Sequence, residues 1–273
     1  MAHPQIAVFA RLANGTAKPV RAISGQTSLL GRTTHELAYN AIRDEVVIPQ
    51  VFGQSILTFA GDASGDQAPL RVIQGPLTQL RGASMLGIDA VNNEILVPEG
   101  GQIQVFDLLA NGNVAAKRVL RGPDTLLGAA NVGVDPIHNR LVVVGSLGTR
   151  EKAENNQILI FDRLAEGNTK PLAVIKGPKS GIDGTFGMRV YPPGGFIAVS
   201  VNGPQHTNPN PASYVGIWSI NDNGDVPPRF KVGGPYGILV QPRGVDFDPK
   251  NKAIVVSDKL LNSILTFSLP EIY

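Results

Sequence analysis

The chain has 273 residues, 42% of them apolar and only 17% charged, with a formal net charge of +2. That supplies a full core but no run of Lys or Arg, so the composition excludes a nucleic-acid footprint. Cysteine is absent, which excludes disulfides and thiolate metal sites, and no apolar run approaches the ~20 residues of a membrane span.

Glycine (31) and proline (21) are abundant, as expected of many short strands joined by turns. The opening residues MAHPQIAVFARL lack the long apolar core of a signal peptide. They read as a mature extracellular or periplasmic chain with an added Met, with a cytoplasmic chain as the alternative.

From the N-terminus onward, one pattern recurs. An I-x-x-F strand ends at Phe9, Phe59, Phe106, Phe161, Trp218 and Phe267, at spacings of 50, 47, 55, 57 and 49. A glycine closing the next strand recurs at Gly25, Gly75, Gly122, Gly177 and Gly233. Self-similarity at this period means a solenoid or a propeller, and strand-type patterning decides for the propeller.

We letter the four strands of a repeat A to D, inner to outer. The A strands are predicted to end near Asn40, Asp89, Asp135, Tyr191 and Asp248. The B strands are predicted to start at Glu45, Glu94, Arg140, Phe196 and Ala253. The C strands carry the aromatic markers, and the D strands end near Ile23, Ile73, Leu120, Ile175 and Val232.

The segments GVDPIHNRLVV (133–143), DFDPKNKAIVVSD (246–258) and IDAVNNEILV (88–97) are each followed by an I-x-x-F strand. In this the chain resembles the NHL and YVTN families of β-propeller repeats over its whole length. The resemblance implies an all-β fold of four-stranded antiparallel blades in one domain, 1–273. It leaves activity open, because such propellers include protein-binding, carbohydrate-binding and enzymatic members.

The chain opens with a C–D pair and closes with A, B and C. Five blades are favoured over six, since a sixth would need A and B strands that the sequence lacks. Pairing the N- and C-terminal strands would close the ring and remove exposed edges.

Several motifs dissolve on inspection. His35-Glu36 begins an HExxH pattern, but the second histidine position is Tyr39. Asp62-Ala-Ser-Gly-Asp66 and Asn221-Asp-Asn-Gly-Asp225 resemble calcium loops but lack the downstream glutamate. They occupy the slot of LANG and LAEG in other repeats, where Gly supplies a positive φ for a hairpin turn. The recurring Asp89, Asp135 and Asp248 read as local turn formers rather than chemistry. No catalytic residue, metal ligand set or cofactor is assigned.

Departures from the repeat carry the functional signal. The B–C loops 145–156 and 202–214 are expanded, and long loops are commonly functional. They bring Arg150, His206 and Tyr214. The same face is expected to hold His35 and Glu36 before the first A strand, and Gln50, Glu99 and Asp258 after their B strands. Arg189 and Asp246 replace the small residue seen at Ala38, Gly87 and Gly133, and are placed either to point charge toward the channel or to pair with each other. These ten residues are the candidate ligand-binding set. The expected function is a non-catalytic binding or scaffold propeller that presents one face to a protein, peptide or carbohydrate, with oligomeric state left open. The alternative is a metal-dependent lactonase, another hydrolase or a lyase at the channel mouth.

Overall fold

The computed structural model describes residues 4–146, 155–203 and 212–273. Strands β1 (Gln5–Val8) and β2 (Arg21–Ser24) form a two-stranded sheet. The next repeat is the sheet β3 (Ala38–Asn40), β4 (Glu45–Gln50), β5 (Ser55–Ala60) and β6 (Arg71–Gln74). It is followed by β7 (Gly87–Asp89), β8 (Glu94–Glu99), β9 (Gln102–Asp107) and β10 (Arg118–Arg121). The third sheet is β11 (Ala129–Asp135), β12 (Arg140–Ser146), β13 (Asn156–Asp162) and β14 (Ala173–Ile175). The fourth is β15 (Thr185–Tyr191), β16 (Phe196–Val201), β17 (Tyr214–Ser219) and β18 (Phe230–Gly233). A sheet of β19 (Pro242–Asp248), β20 (Ala253–Asp258) and β21 (Ser263–Ser268) ends the chain. Each repeat is an antiparallel meander, and there are five blades, as the repeat spacing requires. Helical structure among the described residues is confined to short 3-10 turns, and no helix is long and apolar enough to cross a membrane.

Each A–B turn is written by two local features. The residue before every B strand has a positive φ: Asp44, Asn93, Asn139, Gly195 and Lys252, at 52 to 60°. Asn and Asp tolerate that region and Gly enters it freely. In every repeat but the fourth, where Tyr191 makes no side-chain cap, the last A-strand residue then caps the turn. Asp135 accepts from the backbone of Ile137 and His138, both at 2.9 Å, and Asp89 and Asn40 do the same for Asn92 and Ile42. The recurring aspartates are turn formers.

Successive repeats are held by a clasp in the C–D hairpin. Gly65, Gly112, Gly167 and Gly224 sit at positive φ in these hairpins. Each makes an isolated parallel bridge to the D strand of the repeat before it, at Ile23, Ile73, Leu120 and Ile175 respectively. In the third repeat, Gly167 donates to Val119 at 2.8 Å and accepts from Arg121 at 2.9 Å. The next residue (Asp66, Asn113, Asn168 or Asp225) accepts a hydrogen bond from the preceding D–A turn, at Thr27, Leu77, Asp124 and Ser180. That side chain lies against Gly25, Gly75, Gly122 or Gly177, where any Cβ would overlap it. The recurring glycine therefore answers to two constraints, the second being a φ of 115 to 131°. The two apparent calcium loops are this clasp.

The chain divides into two compact units, residues 1–99 with 105–117, and 100–104 with 118–273. In the first, Ala38, Val47, Ile56, Ile73, Ile95, Val97 and Phe106 form one apolar cluster. A smaller cluster joins Ile23, Ile48, Leu57 and Phe59. In the second unit, Val142, Val144, Ile158, Ile160, Met188, Val199, Val201 and Trp218 form one core. Ala198, Val215, Ile217, Val245, Ile254 and Val256 form another. The markers Phe59, Phe106, Phe161 and Trp218 are fully buried, because each C strand is sandwiched on both faces.

In the N-terminal sheet β1 and β2 pair through four residues, from Gln5 with Ser24 to Val8 with Arg21, and Gly65 bridges the other edge of β2. In the last sheet β21 pairs with β20, and its Ile264 is 63% exposed.

Two outcomes follow from this packing. Phe106→Ala removes a fully buried ring and is expected to cost about 3–5 kcal/mol in urea denaturation; a loss below about 1 kcal/mol would place Phe106 outside the core. Gly122→Ala imposes a Cβ at φ 131° against Asn168 and is expected to cost about 1–3 kcal/mol. Asn168→Ala added to that variant should not restore stability, because the backbone constraint persists.

Candidate functional site

The B–C turns and D–A connections meet at one end of each blade, and the polar side chains there fall into two classes. The first class is consumed by backbone. Gln50, 2% exposed, accepts from Gly31 N–H at 2.5 Å and donates to Thr34 Oγ1 at 3.2 Å. Glu99 accepts from Arg81 N–H at 2.9 and 3.1 Å. Asp258, 2% exposed, takes Val240 and Gln241 N–H on one oxygen and Leu260 and Leu261 N–H on the other. The three share one task, tying a D–A connection to the end of a B strand. A carboxylate satisfied by four backbone donors has little capacity left for a ligand.

The second class faces outward from the second unit. Arg189 and Asp246 lie in the strand row of Ala38, Gly87 and Gly133, each opposite its B strand at Ala198 and Val255. They pair, Arg189 Nε to Asp246 Oδ2 at 3.6 Å, with Asp246 64% exposed. At that exposure the pair contributes little to stability. Both A strands carry a register shift, between Thr185 and Met188 in β15 and between Pro242 and Gly244 in β19. Bulges re-aim side chains. Here they set the Arg243 guanidinium 3.3 Å above the Phe186 ring in a cation–π stack. Gly187 permits the close backbone approach, since a Cβ there would meet Gly244 Cα.

Tyr214 opens β17 and is 7% exposed. Its hydroxyl donates to Gly181 O at 2.7 Å, and Lys231 Nζ lies 4.7 Å from the ring centroid. Burial, then the neighbouring Asp183 charge, push its pKa up to about 12. Asp183 lies in the connection before β15, where Gly203 N–H donates to its carbonyl at 2.9 Å. Burial raises its carboxyl above the usual 3.8, and Oδ1 is enclosed with no hydrogen-bond partner among the described residues.

The expected residues thus divide. The structure brings Arg189 and Asp246 together, places Tyr214 in the same unit, and leaves Asp258 as a structural tie. His35 and Glu36 lie before β3 in the first unit, with Gln50 and Glu99 at strand ends there. Arg150 and His206, with the centres of both expanded loops, lie outside the described residues. Sequence reasoning missed Asp183, Phe186, Lys231 and Arg243. Asp183 had one available signal, an acid in SGIDG where Gly31, Arg81 and Gly128 stand in the other D–A connections. The bulges had none. Among the described residues, no group of three or more His, Asp or Glu is arranged to hold a metal ion.

No family model matches this chain, and no curated protein matches it. Solved structures do. Hydrazine synthase of Kuenenia stuttgartiensis superposes with a TM-score of 0.57 at 13% identity, covering 82% of this chain and 55% of that one. The Cps50 (Swd1) β-propeller domain of Myceliophteria thermophila gives 0.49 at 12% identity, covering 84% and 62%. This chain therefore spans about half the length of the first of these.

Asp183 yields a pH test. Its raised pKa means the fold favours the protonated form, so its stabilising contribution is complete below pH 3.8 and lost as pH rises through the folded pKa. Asp183→Asn is expected to raise the melting temperature at pH 7, with the gain vanishing below 3.8; a gain independent of pH would assign the effect to something other than this carboxyl. At such low identity the likeness to known structures reports fold alone, and the fold is that of a β-propeller.

Proposed function

We propose that the chain is a non-catalytic binding or scaffold propeller of the NHL/YVTN type, whose second unit presents its A-strand ends and expanded loops to a protein, peptide or carbohydrate. One observation carries this reading. Three of five repeats keep a small residue in the A-strand row, while the last two replace it with the pair Arg189–Asp246, whose carboxylate is 64% exposed. The stacked Arg243–Phe186 pair stands on the same two strands. A repeat position that serves only the fold has no reason to become charged. An accessible carboxylate and a stacked Arg–aromatic pair on neighbouring strands are residue types common at binding hot spots.

The test uses immobilised peptide and glycan arrays. The wild-type protein is expected to retain at least one ligand. Arg189→Ala/Arg243→Ala is expected to bind it at least about tenfold more weakly, and so is a variant with loops 145–156 and 202–214 cut to the length of 98–102. Both should keep their cooperative melting. Unchanged affinity in both variants would put the binding surface elsewhere.

A further inference from the structure

A second, independent cleft lies wholly within the first unit. It has a volume of about 740 Å³ and runs between the B–C turn at 51–54 and the D–A connection at 74–81. Its walls carry Gln54, Gln74, Gln79 and Arg81 with the backbone of Gly53 and Gly75. From this lining we infer that the cleft is a saccharide-binding site.

The walls are cross-tied. Gln54 Nε2 donates to Arg81 O at 3.2 Å, and Gln74 Nε2 donates to Gly53 O at 2.7 Å. Glu99 fixes the Arg81 N–H, and the Pro76–Thr78 turn is closed by Thr78 Oγ1 on Gly75 O at 2.7 Å. The groups facing the cleft are therefore preorganised, which lowers the entropy lost on binding. After these ties, Gln54 and Gln74 each keep a carbonyl oxygen and a second amide hydrogen. Among the described residues the Gln79 amide and the Arg81 guanidinium make no side-chain hydrogen bond. The cleft thus offers both donors and acceptors, with no carboxylate on its walls.

Two exposed apolar side chains are neighbours in sequence of its lining residues. Phe52, next to Gly53, is 70% exposed, and Leu77, next to Pro76, is 57% exposed. Spread amide donors and acceptors, a guanidinium and an open aromatic ring match a ligand with hydroxyls around its edge and C–H groups on its faces. A sugar ring has that chemistry. A peptide would call for a deep apolar pocket to seat a side chain, and the cleft's lining is mainly polar.

The residues also depart from the repeat. The slot of Gln79 holds Leu29, Leu126 and Gly181 in other repeats, and Gln79 and the two leucines adopt φ of 56 to 58°. The slot of Arg81 holds Gly31, Gly128 and Asp183, and that of Gln74 holds Ser24, Arg121 and Lys176. Turn geometry therefore does not ask for Gln79, since a leucine satisfies the same backbone.

The experiment titrates the full chain with neutral hexasaccharides (cello-, malto- and chitohexaose) and follows the side-chain amide resonances of glutamine. At least one sugar should bind and shift the signals of Gln54 and Gln79. Gln79→Leu keeps the residue type found at Leu29 and Leu126, so it should fold normally and bind about tenfold more weakly. Phe52→Ala should weaken binding by a similar factor. The loop-shortened variant should bind the sugar as the wild type does, so this site and the one in the second unit stand or fall separately. Absence of any shift at saturating sugar overturns the inference. So does a peptide from the array that shifts the same glutamines and is lost in Gln79→Leu, which would assign the cleft to peptides.

Discussion

Everything in this fold hangs on a reach of one hairpin into the repeat before it. A four-stranded blade cannot bury both faces alone, so its neighbours must be held in register. The C–D glycine does this with two backbone hydrogen bonds to the preceding D strand, and the following Asp or Asn adds a third to the D–A turn. Each bond alone is worth about 1 kcal/mol net. Their value lies in alignment: once the hairpin is latched, Phe106 or Trp218 drops into a complete cavity, and burial of apolar area supplies the larger driving force.

The latch also explains why the chain looks repetitive to the eye. It needs a glycine at the D-strand end, a glycine in the hairpin and a short polar acceptor after it, all at fixed spacing. Those residues recur, so the strand boundaries could be read closely. The A strands end at Asn40, Asp89, Asp135, Tyr191 and Asp248 as expected, and five blades emerge. What could not be read was where pairing stops. Strand patterning alone does not announce that a hairpin glycine of the next repeat bridges the open edge of each D strand, as Gly65 does for β2.

The candidate site was legible in part for the same reason. Arg189 and Asp246 announced themselves by breaking a repeat position, and they meet. Gln50, Glu99 and Asp258 also looked like a surface set, yet their side chains serve the backbone. Strand position placed them correctly at the strand ends, but polarity alone does not distinguish a tie from a ligand contact. Arg243 over Phe186 was invisible, because two bulges re-aim side chains that period-two counting would send to other faces.

The latch has a direction. The hairpins of Gly65, Gly112, Gly167 and Gly224 grip backward along the chain, so β2, β6, β10 and β14 are each held on their outer edge by a later segment, whereas among the described residues no such bridge reaches β18. Gly233, which closes β18, meets no clasping Asp or Asn. Losing a hairpin therefore frees the D strand of the repeat before it, and β18 starts out without that hold. Breathing motions should run from the C-terminal blades toward the N-terminus. Amide protons there would exchange first, and a protease entering a partly opened molecule would trim it from that end.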